Sequence, residues 1–281
     1  PTVTEHFWPT LLAAALLSLV SVGLYLRYSR RVGLLDRPGS RSSHRLPTPT
    51  GGGIGILAAL ALLAAWPPLL QYWPRAWLAV IVPGLLLLGV VGWIDDRRGL
   101  GWRSRLVVQV LVSLALLAFL VIFDGASAWT GATFIDWLTM GSGRGAVAWI
   151  GALIALLFLV GSMNAFNFMD GSNGMAGVQA VVSGAFLAWL FAAAGQGGWT
   201  LASGALAGAV LGFLPWNVPR ARLFMGDAGS VPLGFVLASL VLVATYSGAA
   251  PGPLALLALA PFLVDTSLTL IRRLIRRERW Y

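Results

Sequence analysis

Two asparagines and an aspartate recur at intervals of three in the stretch NAFNFMDGSNGMAG, residues 164–177. On a helix, Asn164, Asn167 and Asp170 fall within one broad face. The glycines that follow, Gly171, Gly174 and Gly177, let the chain turn and a ligand approach the backbone. Polar groups so placed suit sugar or nucleotide hydroxyls; in a membrane, the same amides and small residues also tie helices together. In GWIDDRRG, residues 92–99, the adjacent acids Asp95 and Asp96 point about 100° apart on a helix. They either divide two duties, such as metal ligation and proton handling, or form a solvated helix end. In PWNVPRARLFMGDAGS, residues 215–230, prolines and glycines prevent a continuous helix. There Phe224 stands three residues before Asp227, so an aromatic face lies near a carboxylate. That pairing offers base stacking next to a metal, while a lone Phe also serves as an interfacial anchor. Asn217, Arg220 and Arg222 favour an anionic, nucleotide-like ligand. The segment DRPGSRSSHRLPTPTGGGIG, residues 36–55, combines arginines, hydroxyls, His44 and a glycine run. Backbone amides there, beside Arg41 and Arg45, could hold phosphate, or the glycines could simply permit tight packing. No Gly-Lys-Ser/Thr follows, so it is no Walker loop.

The elements that must position these residues are membrane helices. The chain has 281 residues, 58% of them hydrophobic and 10% charged, with a mean hydropathy of +0.83. Soluble domains are nearer half apolar and about a quarter charged. Charge-free stretches cover residues 7–26, 76–94, 106–123, 146–169, 171–219 and 228–264. Adding residues 51–66 and dividing the two longest at GQGG and SGAAPGP gives nine hydrophobic spans, each near the roughly 20 residues a bilayer requires. The expected fold is an all-α polytopic membrane helical bundle. Its first span is expected to remain as a helix, because RYSRRVG follows it where a signal peptide has small residues, and no basic region precedes it. The chain has no Cys and two His. Disulfides and thiolate sites are excluded, and a zinc cluster is disfavoured. Any metal should be a hard cation held by carboxylates.

All nineteen basic residues are Arg, and alternating the spans puts seventeen of them on one side, with Arg75 and Arg144 on the other. The positive-inside rule makes the Arg-rich side cytoplasmic and the N-terminus outside. The net charge of +9 therefore reflects membrane orientation and anionic ligands, with no call for nucleic acid. Asp95, Asp96, Asp170 and Asp227 fall on that same side, with Asp36 and Asp265 on or near it, whereas Glu5, Asp124 and Asp136 face out. The expected active site is thus at the cytoplasmic face.

In their order and shared side, SSHRLPTPTGGG, DDRRG, NAFNFMDGSNGMAG and RLFMGDAGS resemble the polyprenyl-phosphate N-acetylhexosamine-1-phosphate transferases. That superfamily includes initiating enzymes of O-antigen synthesis and the phospho-MurNAc-pentapeptide translocase. The resemblance covers nearly the whole chain. It implies transfer of a sugar 1-phosphate from a UDP-N-acetylhexosamine to polyprenyl (undecaprenyl) phosphate, with Mg²⁺ or Mn²⁺ and release of UMP, in the bacterial inner membrane. Asp227 would be the leading metal ligand, with Asp96 close to the metal, and Phe224 the platform for uracil. Asn164, Asn167 and Asn217 would bind substrate in the nucleotide and sugar pocket, and Asp170 would hold that network. His44 and Arg45 would sit near phosphate, and Asp95 would deprotonate or position the lipid phosphate. The wording SSHRLPTPTGGG is nearer the O-antigen-initiating branch than the peptidoglycan branch. Residues 1–281 are expected to form a single membrane-embedded transferase domain without the family's last His-bearing cytoplasmic loop and final helix. A homodimer is left open.

Two other classes fit less well. An intramembrane prenyltransferase would carry two DxxxD motifs, and Asp95 and Asp96 have no acidic partner three or four residues on. A transporter would place ionisable groups near the midplane and show a repeated half; neither is present in the sequence pattern.

Overall fold

The structure, a computed structural model, describes residues 3–36, 47–123 and 146–276. Its first element is α1, Val3–Val32. A short antiparallel pair, β1 Leu35–Asp36 and β2 Thr48–Pro49, then joins Leu35 to Pro49 and Asp36 to Thr48. This pair brackets residues 37–46, so His44 and Arg45 lie outside the described residues, as do Asp124, Asp136 and Arg144. The helices that follow are α2 Gly53–Ala64, α3 Val82–Arg98, α4 Trp102–Phe123 and α5 Ala146–Met169. After them come α6 Met175–Ala193, α7 Gly197–Asn217, α8 Asp227–Tyr246, α9 Gly252–Leu256 and α10 Ala260–Ile275.

Among the described residues, seven helices are long and apolar enough to cross a membrane, counting a wider turn at Trp77–Ile81 together with α3. The chain is an all-α polytopic membrane protein. The other two of the nine expected spans take different shapes. Residues 51–66 give only the 12-residue α2, ended by Trp66 and the two prolines that start the 3₁₀ segment Pro67–Tyr72. Residues 253–264 break after α9, and Pro261 in the first turn of α10 opens a new helix, because proline's missing N–H is no loss there.

The bundle is organised around α8, whose residues 228–245 are all buried. Its wall is formed by α2, α3, α5, α6 and α9. Helices approach closely where both partners are small, the usual solution when lipid is as apolar as the side chains. A Cβ at Gly53 of α2 would overlap the backbone of Gly229, and one at Gly92 of α3 would overlap the backbone of Asp227. These two glycines press α2 and α3 against the first turn of α8. The opposite layer packs α1 on α7 and α7 on α6.

Candidate active site

The C-terminal ends of α3, α5 and α7 and the N-terminal ends of α4, α6 and α8 meet at one end of the bundle, and the polar motifs meet there with them. Asp227 opens α8. Its backbone N–H donates to Asp96 Oδ1 at 3.0 Å, and the Ala228 N–H donates to Asp96 Oδ2 at 3.3 Å. The Asp96 carboxylate thus caps α8 from another helix, satisfying first-turn amides that α8 itself leaves unpaired. The preceding Gly226 takes a positive φ of 72°. A side chain at that position would run into Asp96 Oδ2 and Thr50 Oγ1.

Asp95, one residue earlier on α3, faces a different partner. Its Oδ1 accepts the Leu100 N–H, and its Oδ2 lies 2.7 Å from Arg105 Nη1. The same guanidinium nitrogen lies 3.1 Å from Asp227 Oδ2. Asn167 donates to Asp227 Oδ1 at 2.7 Å and to Ser230 Oγ at 2.9 Å. Asp170 completes the group beside Asp227, with the Gly226 N–H bonded to it. Desolvation, and then the charges of Asp227 and Asp96, hold the Asp170 carboxyl well above the usual carboxylate range, partly offset by that N–H.

The cluster therefore unites Asp95, Asp96, Asn167, Asp170 and Asp227. Three of the expected site residues make protein contacts of their own. Asp96, expected near a metal, has both oxygens turned to backbone amides. Asn217, expected in the nucleotide and sugar pocket, is 5% exposed. Its Oδ1 accepts the Gly174 N–H at 2.6 Å and its Nδ2 donates to the Leu223 carbonyl at 3.1 Å, so its amide ties two loops together. Asn164 points away from Asp227: it donates to Gln109 Oε1 and to the Val160 carbonyl, both at 2.8 Å. It lines a groove between α5 and α10 instead. The amides of Gly52 and Gly53, candidates for phosphate, donate to the carbonyls of Phe224 and Met225. Those bonds and the Phe224 N–H to Pro49 carbonyl bond lace residues 49–53 to 224–225 and fix the backbone of Phe224.

The sequence reading gave no individual role to Arg105 and Gln109. A signal existed: Arg105, Gln109 and Ser113 stand four apart on α4, a polar stripe on a helix whose other residues after Arg105 are apolar. Gln109 and Ser113 are buried. Gln109 also lines the small cleft at Arg105 and Asp227, so the Gln109–Asn164 bond links that cleft to the groove. The groove, about 450 Å³, is bounded by Leu157, Phe158, Phe168, Leu263 and Leu270, with Arg273 at its rim. The Arg273 guanidinium sits 5.3 Å from the centre of the Phe168 ring.

Among the described residues no three Asp, Glu, His or Cys side chains converge closely enough to hold a metal by themselves. Mg²⁺ asks for less: one or two carboxylates, several waters and substrate phosphate oxygens. The Oδ2 atoms of Asp95 and Asp227 already share one cationic nitrogen, so the pair fits such an ion.

The family model described as glycosyl transferase family 4 matches residues 78–245, which include Asp95, Asp96, Arg105, Asn167, Asp170 and Asp227. The chain is 36% identical over 255 residues to a phospho-N-acetylmuramoyl-pentapeptide-transferase of Synechococcus sp. (strain JA-3-3Ab), covering 86% of this chain and 69% of that protein. It is 32% identical over 246 residues to a decaprenyl-phosphate N-acetylglucosaminephosphotransferase of Mycobacterium tuberculosis (strain CDC 1551 / Oshkosh), covering 81% and 58%. A phospho-N-acetylmuramoyl-pentapeptide-transferase of Geobacillus kaustophilus (strain HTA426) is 33% identical over 245 residues, covering 81% and 72%. The chain belongs to glycosyl transferase family 4, and it is an enzyme of the phosphotransferase class.

Proposed function

We propose that this member of glycosyl transferase family 4 transfers an N-acetylhexosamine 1-phosphate from a UDP-sugar to polyprenyl phosphate, releasing UMP, at the cytoplasmic face of the bacterial inner membrane. The observation that carries the reading is the meeting of Asp95 and Asp227 on one cation, at the bundle end where an apolar groove opens. A phosphate attacking a second phosphate sets like charges together, which a divalent cation and fixed donors offset. Bound Mg²⁺ or Mn²⁺ would supply that Lewis acidity, held by Asp227 and Asp95. Asn167 fixes the Asp227 carboxylate, and Asp96 fixes the helix that carries it. Asp170, beside Asp227, holds that network. Phe224 supplies a stacking face for uracil, with His44 and Arg45 near the phosphates. The groove beside Asn164 takes the polyprenyl chain, keeping the tail in lipid while its phosphate reaches the polar end. Seventeen of nineteen arginines on one side support the cytoplasmic placement.

The names of the Synechococcus and Geobacillus relatives favour a second donor reading, UDP-MurNAc-pentapeptide, while the SSHRLPTPTGGG wording favours UDP-GlcNAc and initiation of O-antigen or a related envelope glycan. The test is lipid-product formation from undecaprenyl phosphate with each radiolabelled donor. Product and UMP from UDP-GlcNAc alone support the first donor; product from the pentapeptide donor alone supports the second. Transfer of neither to the lipid overturns the function.

A further inference from the structure

We infer that Arg105 is a resident counter-cation of the carboxylate pair, one that a divalent metal must displace to bind. The inference rests on the proposed metal site at Asp95 and Asp227 and adds a competitor for it. Each carboxylate has one oxygen committed elsewhere: Asp95 Oδ1 to the Leu100 N–H and Asp227 Oδ1 to Asn167. The remaining oxygen of each, Oδ2, faces the same atom, Arg105 Nη1, at 2.7 and 3.1 Å. The guanidinium therefore occupies the position from which a metal would reach both carboxylates.

Arginine suits this duty. It stays charged at every working pH, so it leaves the site by movement and never by losing its proton. Its side chain is 37% exposed, whereas that of Asp95 is 9% exposed, so the cation has open space to swing into and the carboxylate does not. Arg105 sits in the first turn of α4, after the 99–101 link from α3, and the helix carries its Cα while leaving the long side chain free to turn. Arg105 brings one positive charge to the pair; a divalent ion in its place would bring two. The metal-free enzyme thus keeps two adjacent carboxylates together without a metal, at the expense of metal affinity.

The test is Mn²⁺ binding to the full chain in nanodiscs without nucleotide or lipid acceptor, read by loss of the free-ion EPR signal. Arg105→Gln should bind Mn²⁺ at least about tenfold more tightly than wild type, the scale for removing a unit charge about 4 Å away at a partly exposed site. Arg105→Lys, which keeps the charge but loses the fork, should fall between the two. Asp227→Asn added to either variant should abolish the gain. Unchanged or weaker Mn²⁺ binding in folded Arg105→Gln overturns the inference and leaves the metal site standing. If Arg105→Gln fails to fold, Arg105→Lys binding no more tightly than wild type overturns it. Absence of any Asp227-dependent Mn²⁺ binding overturns the proposed metal site and the inference together.

Discussion

The helices α8 and α10 differ in sequence and in surroundings: α8 is apolar along most of its length, whereas α10 sets Asp265, Thr266, Arg272 and Arg273 among its apolar residues. Residues 228–245 of α8 are buried without exception, while α10 leaves Val264, Leu268, Ile271, Leu274 and Ile275 more than half exposed and buries only Phe262. The buried helix carries Asp227, fixed by Asp96, Asn167 and Arg105 from three other elements. The exposed helix borders the groove and ends in Arg272 and Arg273. The proposed chemistry, which must hold a charge in a fixed place, falls to the fully packed helix. The proposed binding of a long flexible chain falls to the helix with an open apolar side, where contacts are adjustable and individually weak.

The strongest way to break that contrast is at the head of α8. Asp227→Asn should lower UMP release by about 10³-fold with donor saturating, the scale for removing a preorganised electrostatic group, and should raise the Mg²⁺ requirement. Unchanged turnover and Mg²⁺ dependence would put the reaction elsewhere. Next in size is the packing of α8 itself. Phe235 is fully buried, and Phe235→Ala should cost about 2 kcal/mol in a reversible unfolding assay in mixed micelles. That is below the usual range for soluble cores, because lipid as apolar as the side chain leaves only the packing loss.

A comparable effect, on binding instead of stability, is expected just before α8. Phe224→Ala should weaken UDP-sugar binding by about 1–3 kcal/mol, whereas Phe224→Trp should keep most of the affinity. Equal losses in a calorimetric titration would assign Phe224 to packing. The pH response sharpens the electrostatic side of the comparison. Because the folded state raises the Asp170 carboxyl above its unfolded value near about pH 4, the folded form holds the extra proton. Stability is fully present below that pH and declines as pH rises through the raised value. Thermal unfolding of metal-free protein should show this decline, and Asp170→Asn should flatten it. The smallest effect belongs to α10. Leu270→Ala, at a groove position 40% exposed, should change stability by no more than about 0.5 kcal/mol. It should still raise the KM for polyprenyl phosphate by about three- to tenfold, from lost apolar contact.

Much of the bundle was legible because bilayer thickness imposes its own length scale: charge-free stretches near 20 residues read directly as spans. The two departures, α2 and the α9–α10 break, arise where prolines at 67, 68 and 261 override composition. The cluster was half legible. Asp95, Asn167, Asp170 and Asp227 stood out because a polar group at a membrane boundary is unusual. Arg105 was absorbed into the count of positive charges, and nothing in the DD dipeptide says which acid faces a cation and which one caps a helix.

By itself, the sequence determined that the chain is a multi-span helical protein, that its carboxylate motifs gather toward one end, and that a hard cation is the only metal chemistry its residues favour. Those conclusions need only composition, span length and residue type, which are local properties. The tertiary structure decided which acid does what. Adjacent side chains on α3 diverge, so Asp95 reaches Arg105 while Asp96 reaches the amides of α8. Asn164 and Asn167, three apart on α5, turn to the groove and to Asp227. Such assignments depend on the rotation and approach of neighbouring helices, set here by contacts such as Gly92 against Asp227, and no interval counted along one chain segment contains them.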